Sequence, residues 1–382
     1  MKSARKRTLA TKSVPALPSE GTLVVPADAA DAIRRLVLGG RSEKTRRAAE
    51  IAVRYWDTWS QARLDRPLHL PIGPGDVLTF IADHLPAIDD EDVVQDPVMP
   101  ASVVKALQTA GFKPVNQKLA TIQLRLSLIS RLHTVRGEKS PMADAVVMLA
   151  MRGARKAAHR AGLTPKAKRA IEAVDLALVV DTFSDTPKGL LERAFVYFGW
   201  ATGGRRRSEI AAARLEHLTR HTNNQGAFYL YQMHESKTRR AGEDQAPYFR
   251  VAGVACEAMD AWLGWLDQQG EKVETGPVFR AVRERKDGHW WVSKRPINPE
   301  TIARAVKAGA TNSGLGESSA FGGHSLRSGF VTEAVRHLPA SEVMKASDHR
   351  DMRSVLRYSQ RHDAETNPAF DLVGISKKPG KD

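Results

Sequence analysis

Apolar residues recur every three or four positions through most of the first 220 residues, a period that commits this part of the chain to amphipathic helices. In "SEKTRRAAEIAVRYWDTWSQARL" the set Ala48, Ile51, Ala52, Tyr55, Trp56 and Trp59 marks one face, with Ser42 as the expected N-cap. "PGDVLTFIADHLPAI" predicts a short helix ended by Pro86. "VNQKLATIQLRLSLISRLHTVRG" puts Ile122, Leu126, Ile129 and Leu132 on one face and stops at Gly137. "PMADAVVMLAMRGARKAAHRAG" predicts a further helix that starts at Pro141. Four or five such helices make an all-α domain, with expected bounds 41–163.

"LTPKAKRAIEAVD" is rich in Pro and Lys and reads as an exposed linker over 164–174, leading into a second domain over 175–382. Here the period changes. "GAFYLYQMHESKT" alternates and is rich in aromatics, which predicts a strand. "APYFRVAG" predicts its partner, with the polar loop "RRAGEDQ" between them as a hairpin. After Trp290 and Trp291 the pattern is helical to the end. The expected fold class is mainly α with a small antiparallel β-sheet.

Charge narrows the partner. There are 58 Lys and Arg against 43 Asp and Glu, a net +15 with a pI near 10.0, so a polyanion is the natural ligand. Cys256 is the single cysteine, which excludes an internal disulfide and fits a reducing compartment. No apolar run is long enough to span a bilayer, so no membrane role is expected. Residues 1–40 are basic and nearly free of acids at the start, as expected of a disordered arm on DNA phosphates; an organelle transit peptide has similar composition.

The chemistry concentrates in "GGHSLRSGFVTEAVRHLPASEVMKASDHRDMRSVLRYSQ". His324 and Arg327 are three apart, which puts both on one helix face beside an apolar stripe of Leu326, Phe330, Ala334 and Leu338. His349 and Tyr358 follow on short helices, with Val343, Met344, Met352, Val355 and Leu356 as anchors. A metal reading would use the two histidines and Asp348, but the tight His spacing of zinc hydrolases and any Cys cluster are missing. Upstream, "GRRRSEI" starts a helix next to Gly204, whose free N–H groups and arginines suit phosphate oxygens; a solvated basic face is the plainer reading of that segment alone. Lys237 sits where the first strand enters its hairpin loop. Around one phosphodiester the set becomes coherent: Tyr358 as nucleophile, Arg206 and Arg327 on the non-bridging oxygens, His349 as a further donor, His324 as proton acceptor, and Lys237 as acid for the leaving hydroxyl.

These residues resemble the boxes of the tyrosine recombinases, the phage integrase family, and the layout looks closest to the Cre-like branch. "GRRRSE" matches the first-arginine box and selects Arg206, with Glu209 as its supporting acid; "SKT" selects Lys237; "HSLR" gives His324 and Arg327; "DH" gives His349; "RYS", nine residues later, gives Tyr358. Asp348 stands where the family usually has glycine, and Ser325 where an acid is common. The resemblance covers roughly residues 40 to 370.

It implies an α-helical core-binding domain and a mixed α/β catalytic domain clamped around duplex DNA. The implied activity is site-specific strand cutting and rejoining through a 3′-phosphotyrosine, with no cofactor, metal or ATP. It also implies a homo-oligomer on double-stranded DNA, a tetramer of two dimers, in the cytoplasm at the nucleoid. Phe370, Leu372, Val373 and Ile375, after Pro368, are the expected apolar plug between protomers. Lys44 and Arg47 are candidate phosphate contacts. The alternatives are a topoisomerase or resolvase-type outcome of the same chemistry, a catalytically inactive DNA-binding accessory factor, and a metal-dependent nuclease.

Overall fold

Helix α1 (Glu43–Leu64) turns Ala52, Tyr55, Trp56 and Trp59 inward, as their spacing requires, while Ile51 at the edge of that stripe stays 45% exposed. The computed structural model describes residues 43–164, 168–233, 246–271 and 273–358, and its chain forms two compact units, 1–166 and 167–382. Ser42, the arm over 1–40, Lys237 and the expected apolar plug lie outside the described residues.

In the first unit α1 is followed by α2 (Pro74–His84), α3 (Ala101–Thr109), α4 (Leu119–Val135) and α5 (Ala145–Arg160), with a two-residue ladder of β1 (Ala87–Ile88) and β2 (Val94–Gln95). Pro74 opens α2, where a missing N–H costs nothing. The aromatic centre is dense: the Trp56 and Phe80 rings stack at 3.8 Å and Trp59 meets Phe80 edge-on at 5.0 Å. Ile122, Leu126 and Ile129 of α4 are buried against it, each side chain contributing roughly 2–3 kcal/mol. Pro141 begins a 3₁₀ turn rather than α5; the α-helix starts later because the Asp144 carboxylate caps the N–H groups of Val146 and Val147.

The second unit starts earlier than its composition suggests. The segment expected as an exposed linker is partly built into the fold: Ile171 is fully buried, its N–H donates to the Ser325 carbonyl, and α6 (Ala173–Asp181) follows at once. Ile171 is the large apolar group of that run that turns inward, while Val174 stays exposed, and it decides the outcome. Helix α7 (Pro187–Ala201) leads through a turn to the short α8 (Arg207–Ala211). Strands β3 (Leu218–Asn223), β4 (Gly226–Gln232) and β5 (Tyr248–Ala252) form one antiparallel sheet in that order. The β4–β5 pairing is the expected hairpin, whereas β3 falls in a stretch whose apolar period suggested helix.

Helix α9 (Val254–Gln268) packs on α7, and β6 (Arg280–Glu284) and β7 (Trp290–Pro296) form a second hairpin, so the residues just after Trp291, expected as helix, continue a strand. Then come α10 (Pro299–Asn312), α11 (Ser325–His337), α12 (Ala340–Ser347) and α13 over 352–358. Leu338, Met352 and Leu356 are exposed rather than buried: Leu338 lies past the end of α11, and Val355 with Tyr358 takes the inner face of α13.

Candidate active site

The site depends first on the turn after α7. Gly203 and Gly204 hold φ values of +90° and +68°, where any other residue is strained. A Cβ on Gly204 would sit 2.8 Å from the Arg327 Cα, so this turn can lie on the first turn of α11 only because residue 204 has no side chain. Nη1 of Arg327 donates to the Gly204 carbonyl at 3.1 Å. Arg206, at the N-cap of α8, donates its backbone N–H to Glu209 Oε2 at 3.1 Å and its Nη1 to Oε1 at 2.6 Å. The buried Glu209 therefore aims the Arg206 fork.

The second determinant is the turn that ends α12. Asp348 adopts the left-handed conformation (φ 55°, ψ 46°), and the N–H of His349 closes the turn on the Met344 carbonyl at 3.0 Å. Glycine fits such a position without strain, which gives a physical reason for its frequency before the histidine; Asp is among the few other residues that tolerate it. The hydroxyl of buried Ser347 lies 2.6 Å from Nδ1 of His349 and 2.5 Å from the Val343 carbonyl.

The third is the start of α11. His324 is its N-cap and Arg327 lies in its first turn, so both side chains emerge at one end. The ring of Tyr358, at the end of α13, packs on Val331, Ala334, Val343 and Val355, and its hydroxyl stands 3.4 Å from Nε2 of His324. Arg206, Glu209, His324, Arg327, His349 and Tyr358 are thus gathered in one place.

Their charges are poorly balanced. Arg327 is 2% exposed; burial, with Arg206 and Arg205 nearby, pulls its guanidinium down to about 10, still cationic at neutral pH. Its Nη2 is buried with no hydrogen-bond partner among the described residues. Burial, then the charges of Arg327, Arg206 and Arg205, pushes His349 down to about 4. His324 is open to solvent on one side; desolvation on the other and the cations Arg327 and Arg206 lower it too. Both imidazoles are therefore neutral at pH 7. Among the described residues no three His, Cys, Asp or Glu side chains are grouped to hold a metal ion, and the pair His324 and His349 with Asp348 forms no such group.

A model of the Phage integrase family matches residues 169–365. This chain belongs to the phage integrase family. The integrase-family chain is 30% identical over 250 residues to an integrase/recombinase xerD homolog of Selenomonas ruminantium, covering 64% of this chain and 69% of that protein. Its fold is similar to the Tn1549 transposon integrase solved with transposon right end DNA, at TM-score 0.50 and 12% identity over 88% of this chain and 97% of that one. The same integrase with circular intermediate DNA matches at TM-score 0.50 and 12% identity, over 86% and 92%. Among the described residues of this integrase-family chain, no helix is long and apolar enough to cross a membrane.

Lys237 of the integrase-family chain lies outside the described residues, between β4 and β5. Arg47 is exposed on α1, the helix that also contains Lys44, and both belong to the first unit. Sequence reading passed over Arg205. It is 1% exposed, reaches the Ala346 carbonyl with Nη2 at 2.5 Å and Met233 Sδ with Nη1 at 3.6 Å, and lies over the Phe249 ring at 4.6 Å. It ties the end of β4 to the last turn of α12. Three consecutive arginines looked alike in sequence; only the fold separates the buried one from its neighbours.

Proposed function

We propose that this protein is a site-specific DNA recombinase that cuts and rejoins strands through a 3′-phosphotyrosine. The observation that carries the reading is the buried, unpartnered Nη2 of Arg327, set among Arg205, Arg206 and His349 beside the Tyr358 hydroxyl. An excess of buried cations over carboxylates is costly unless an anion completes it, and a phosphodiester supplies two anionic oxygens.

Tyr358 Oη attacks phosphorus and its proton passes to His324 Nε2. The bond to the 5′ oxygen breaks, and Lys237 protonates that oxygen as it leaves. Arg206 and Arg327 hold the non-bridging oxygens as their charge grows, and Glu209 keeps Arg206 in position. His349 donates through Nε2–H when the Ser347 hydroxyl donates to Nδ1. Bond energy is conserved in the phosphotyrosine, so the free 5′-hydroxyl of another strand can reverse the step without ATP, and the arginines take the role that metal ions have elsewhere.

The ligand is double-stranded DNA, bound by a core-binding first unit with Lys44 and Arg47 on phosphates and a catalytic second unit. The net charge of +15 and the DNA held in the Tn1549 integrase structures support this. Strand exchange needs two sites, so the working form is a homo-oligomer on DNA, a tetramer of two dimers.

The test is covalent trapping. The protein is incubated in EDTA with a nicked suicide duplex carrying a site obtained by binding selection. A protein–DNA adduct on a denaturing gel, absent for Tyr358→Phe, is the expected result. Binding without an adduct would leave an accessory factor, and cleavage that needs added metal would replace the reading with a nuclease.

A further inference from the structure

The hairpin of β6 and β7 has two different faces. Val282 pairs with Val292 and Glu284 with Trp290 on the inner side, where Trp290 meets Trp265 edge-on at 6.4 Å and the valines join the core. Arg283 pairs with Trp291 on the outer side. Arg285 follows β6 toward the turn, and Arg295 lies in the irregular stretch of β7 between Val292 and Pro296, where the register shifts. These three arginines and Trp291 are exposed, Trp291 at 43%. Lys286 and Lys294 flank them, also exposed. Glu284, though exposed, alternates to the side of Val282 and Trp290, and Asp287 belongs to the turn, so neither carboxylate shares the strand face of Arg283 and Trp291.

Several arginines elsewhere in this unit are ion-paired, Arg207 with Glu300, Arg214 with Glu216, Arg220 with Asp260 and Arg336 with Glu172, whereas exposed Arg250 and Arg304 reach only the neutral Gln225 and Thr301. Among the described residues, the hairpin cations have no such partner. An exposed Trp beside forked cations offers an apolar plane for a sugar while the guanidiniums take phosphate oxygens.

The geometry points to this outer face as a second DNA-backbone contact, taking duplex phosphates at a distance from the cleavage pocket with Trp291 against the sugar edge. The inference rests on the reading of the protein as a DNA recombinase. Position supports it. β7 runs through Pro296 into α10, whose Glu300 pairs with Arg207, the neighbour of Arg206. Arg295 is five residues from Glu300, so it lies within about 17 Å of that ion pair, or about five base-pair steps. DNA seated on Arg206 has phosphates within reach of the hairpin.

The experiment measures binding of the full chain to a labelled mixed-sequence duplex of about 30 base pairs over a range of salt. Wild type is compared with Arg283→Gln/Arg285→Gln/Arg295→Gln, with Arg295→Gln alone, and with Trp291→Ala. Each variant is first checked for a wild-type thermal melt. The triple variant is expected to lower the salt slope by about 2 to 3, the single variant by about 1, and Trp291→Ala to weaken binding several-fold at an unchanged slope. A triple variant with wild-type slope and affinity overturns the second contact and leaves the recombinase reading intact. Wild-type protein that does not bind the duplex at all overturns both.

Discussion

Nε2 of His324 stands 3.4 Å from the hydroxyl of Tyr358, and the imidazole is neutral at pH 7 because desolvation and two guanidiniums disfavour its charged form. A neutral ring can take the tyrosine proton; a charged one cannot. Single-turnover cleavage should therefore hold constant down through the usual histidine range and fall only below it. Replacing Arg206 with Gln removes one of the cations and should move that fall to higher pH while also slowing cleavage. A pH–rate profile with the acid limb at an ordinary histidine pKa would reject the assignment.

Ser347 has one hydroxyl proton and two acceptors in reach, the Val343 carbonyl and Nδ1 of His349. Only donation to Nδ1 leaves Nε2–H for a phosphate oxygen. Ser347→Ala is expected to slow cleavage about tenfold or more with little change in DNA affinity, and Ser347→Thr to restore part of the rate. Equal losses in binding and rate would show that the hydroxyl serves packing alone.

Arg205 is buried with no carboxylate at ion-pair distance among the described residues, and its Nε has no hydrogen-bond partner there. Burial holds its pKa below the usual arginine value. Arg205→Met keeps much of the volume and removes the charge, so it should leave stability within about 1 kcal/mol of wild type or raise it. It also cuts the tie to Ala346, so cleavage should fall by about tenfold. Urea melts and suicide-duplex kinetics on the same preparation separate the two effects.

At Asp348 the left-handed backbone penalises bulk near Cβ. Asp348→Gly relieves the backbone but removes a carboxylate facing Arg327 and Arg205; the net change in unfolding free energy should stay within about 1 kcal/mol. Asp348→Val should cost about 2 kcal/mol and displace His349, read as a lower urea midpoint and a slower cleavage step.

His84, 3% exposed, is fully engaged as a neutral ring. Its Nδ1 lies 2.7 Å from the Phe80 carbonyl, which fixes the proton there, and Nε2 accepts from the Tyr55 hydroxyl at 2.6 Å. Burial holds its pKa at about 3. The unfolded chain binds this proton from about pH 6.5 downward and the folded chain only near pH 3, so stability is lost as pH falls through that window, by roughly 3–5 kcal/mol in all. Tryptophan fluorescence from neighbouring Trp56 and Trp59 reports the transition. His84→Gln should flatten the acid dependence.

Helix period carried much of this fold into the sequence. Trp56, Trp59, Ile122 and Ile129 are core because a 3.6-residue repeat has one inner face. The spacing of His324 and Arg327 was legible for the same reason. Period alone did not say which of two apolar stripes on α13 faces inward, so Met352 and Leu356 were placed wrongly and Val355 rightly. The β6–β7 hairpin carried a readable signal, the Asp287-Gly288 turn between alternating valines, which the adjoining run of charges obscured. The roles of Arg205 and Ile171 arise from contacts between segments far apart in sequence, and no local pattern encodes them.

Ile171 crosses α11 at Gly329, where a Cβ would meet the Ile171 carbonyl oxygen at 1.7 Å. The segment before α6 is thus a strap over the helix that carries His324 and Arg327. Anyone dissecting this chain into fragments has a lower limit from that crossing. A C-terminal piece begun at Ala173 keeps every active-site side chain, yet it uncovers the Ser325 carbonyl and the groove that Gly329 leaves open. The boundary for a stable fragment belongs before Lys168, on the far side of residues that composition alone would discard.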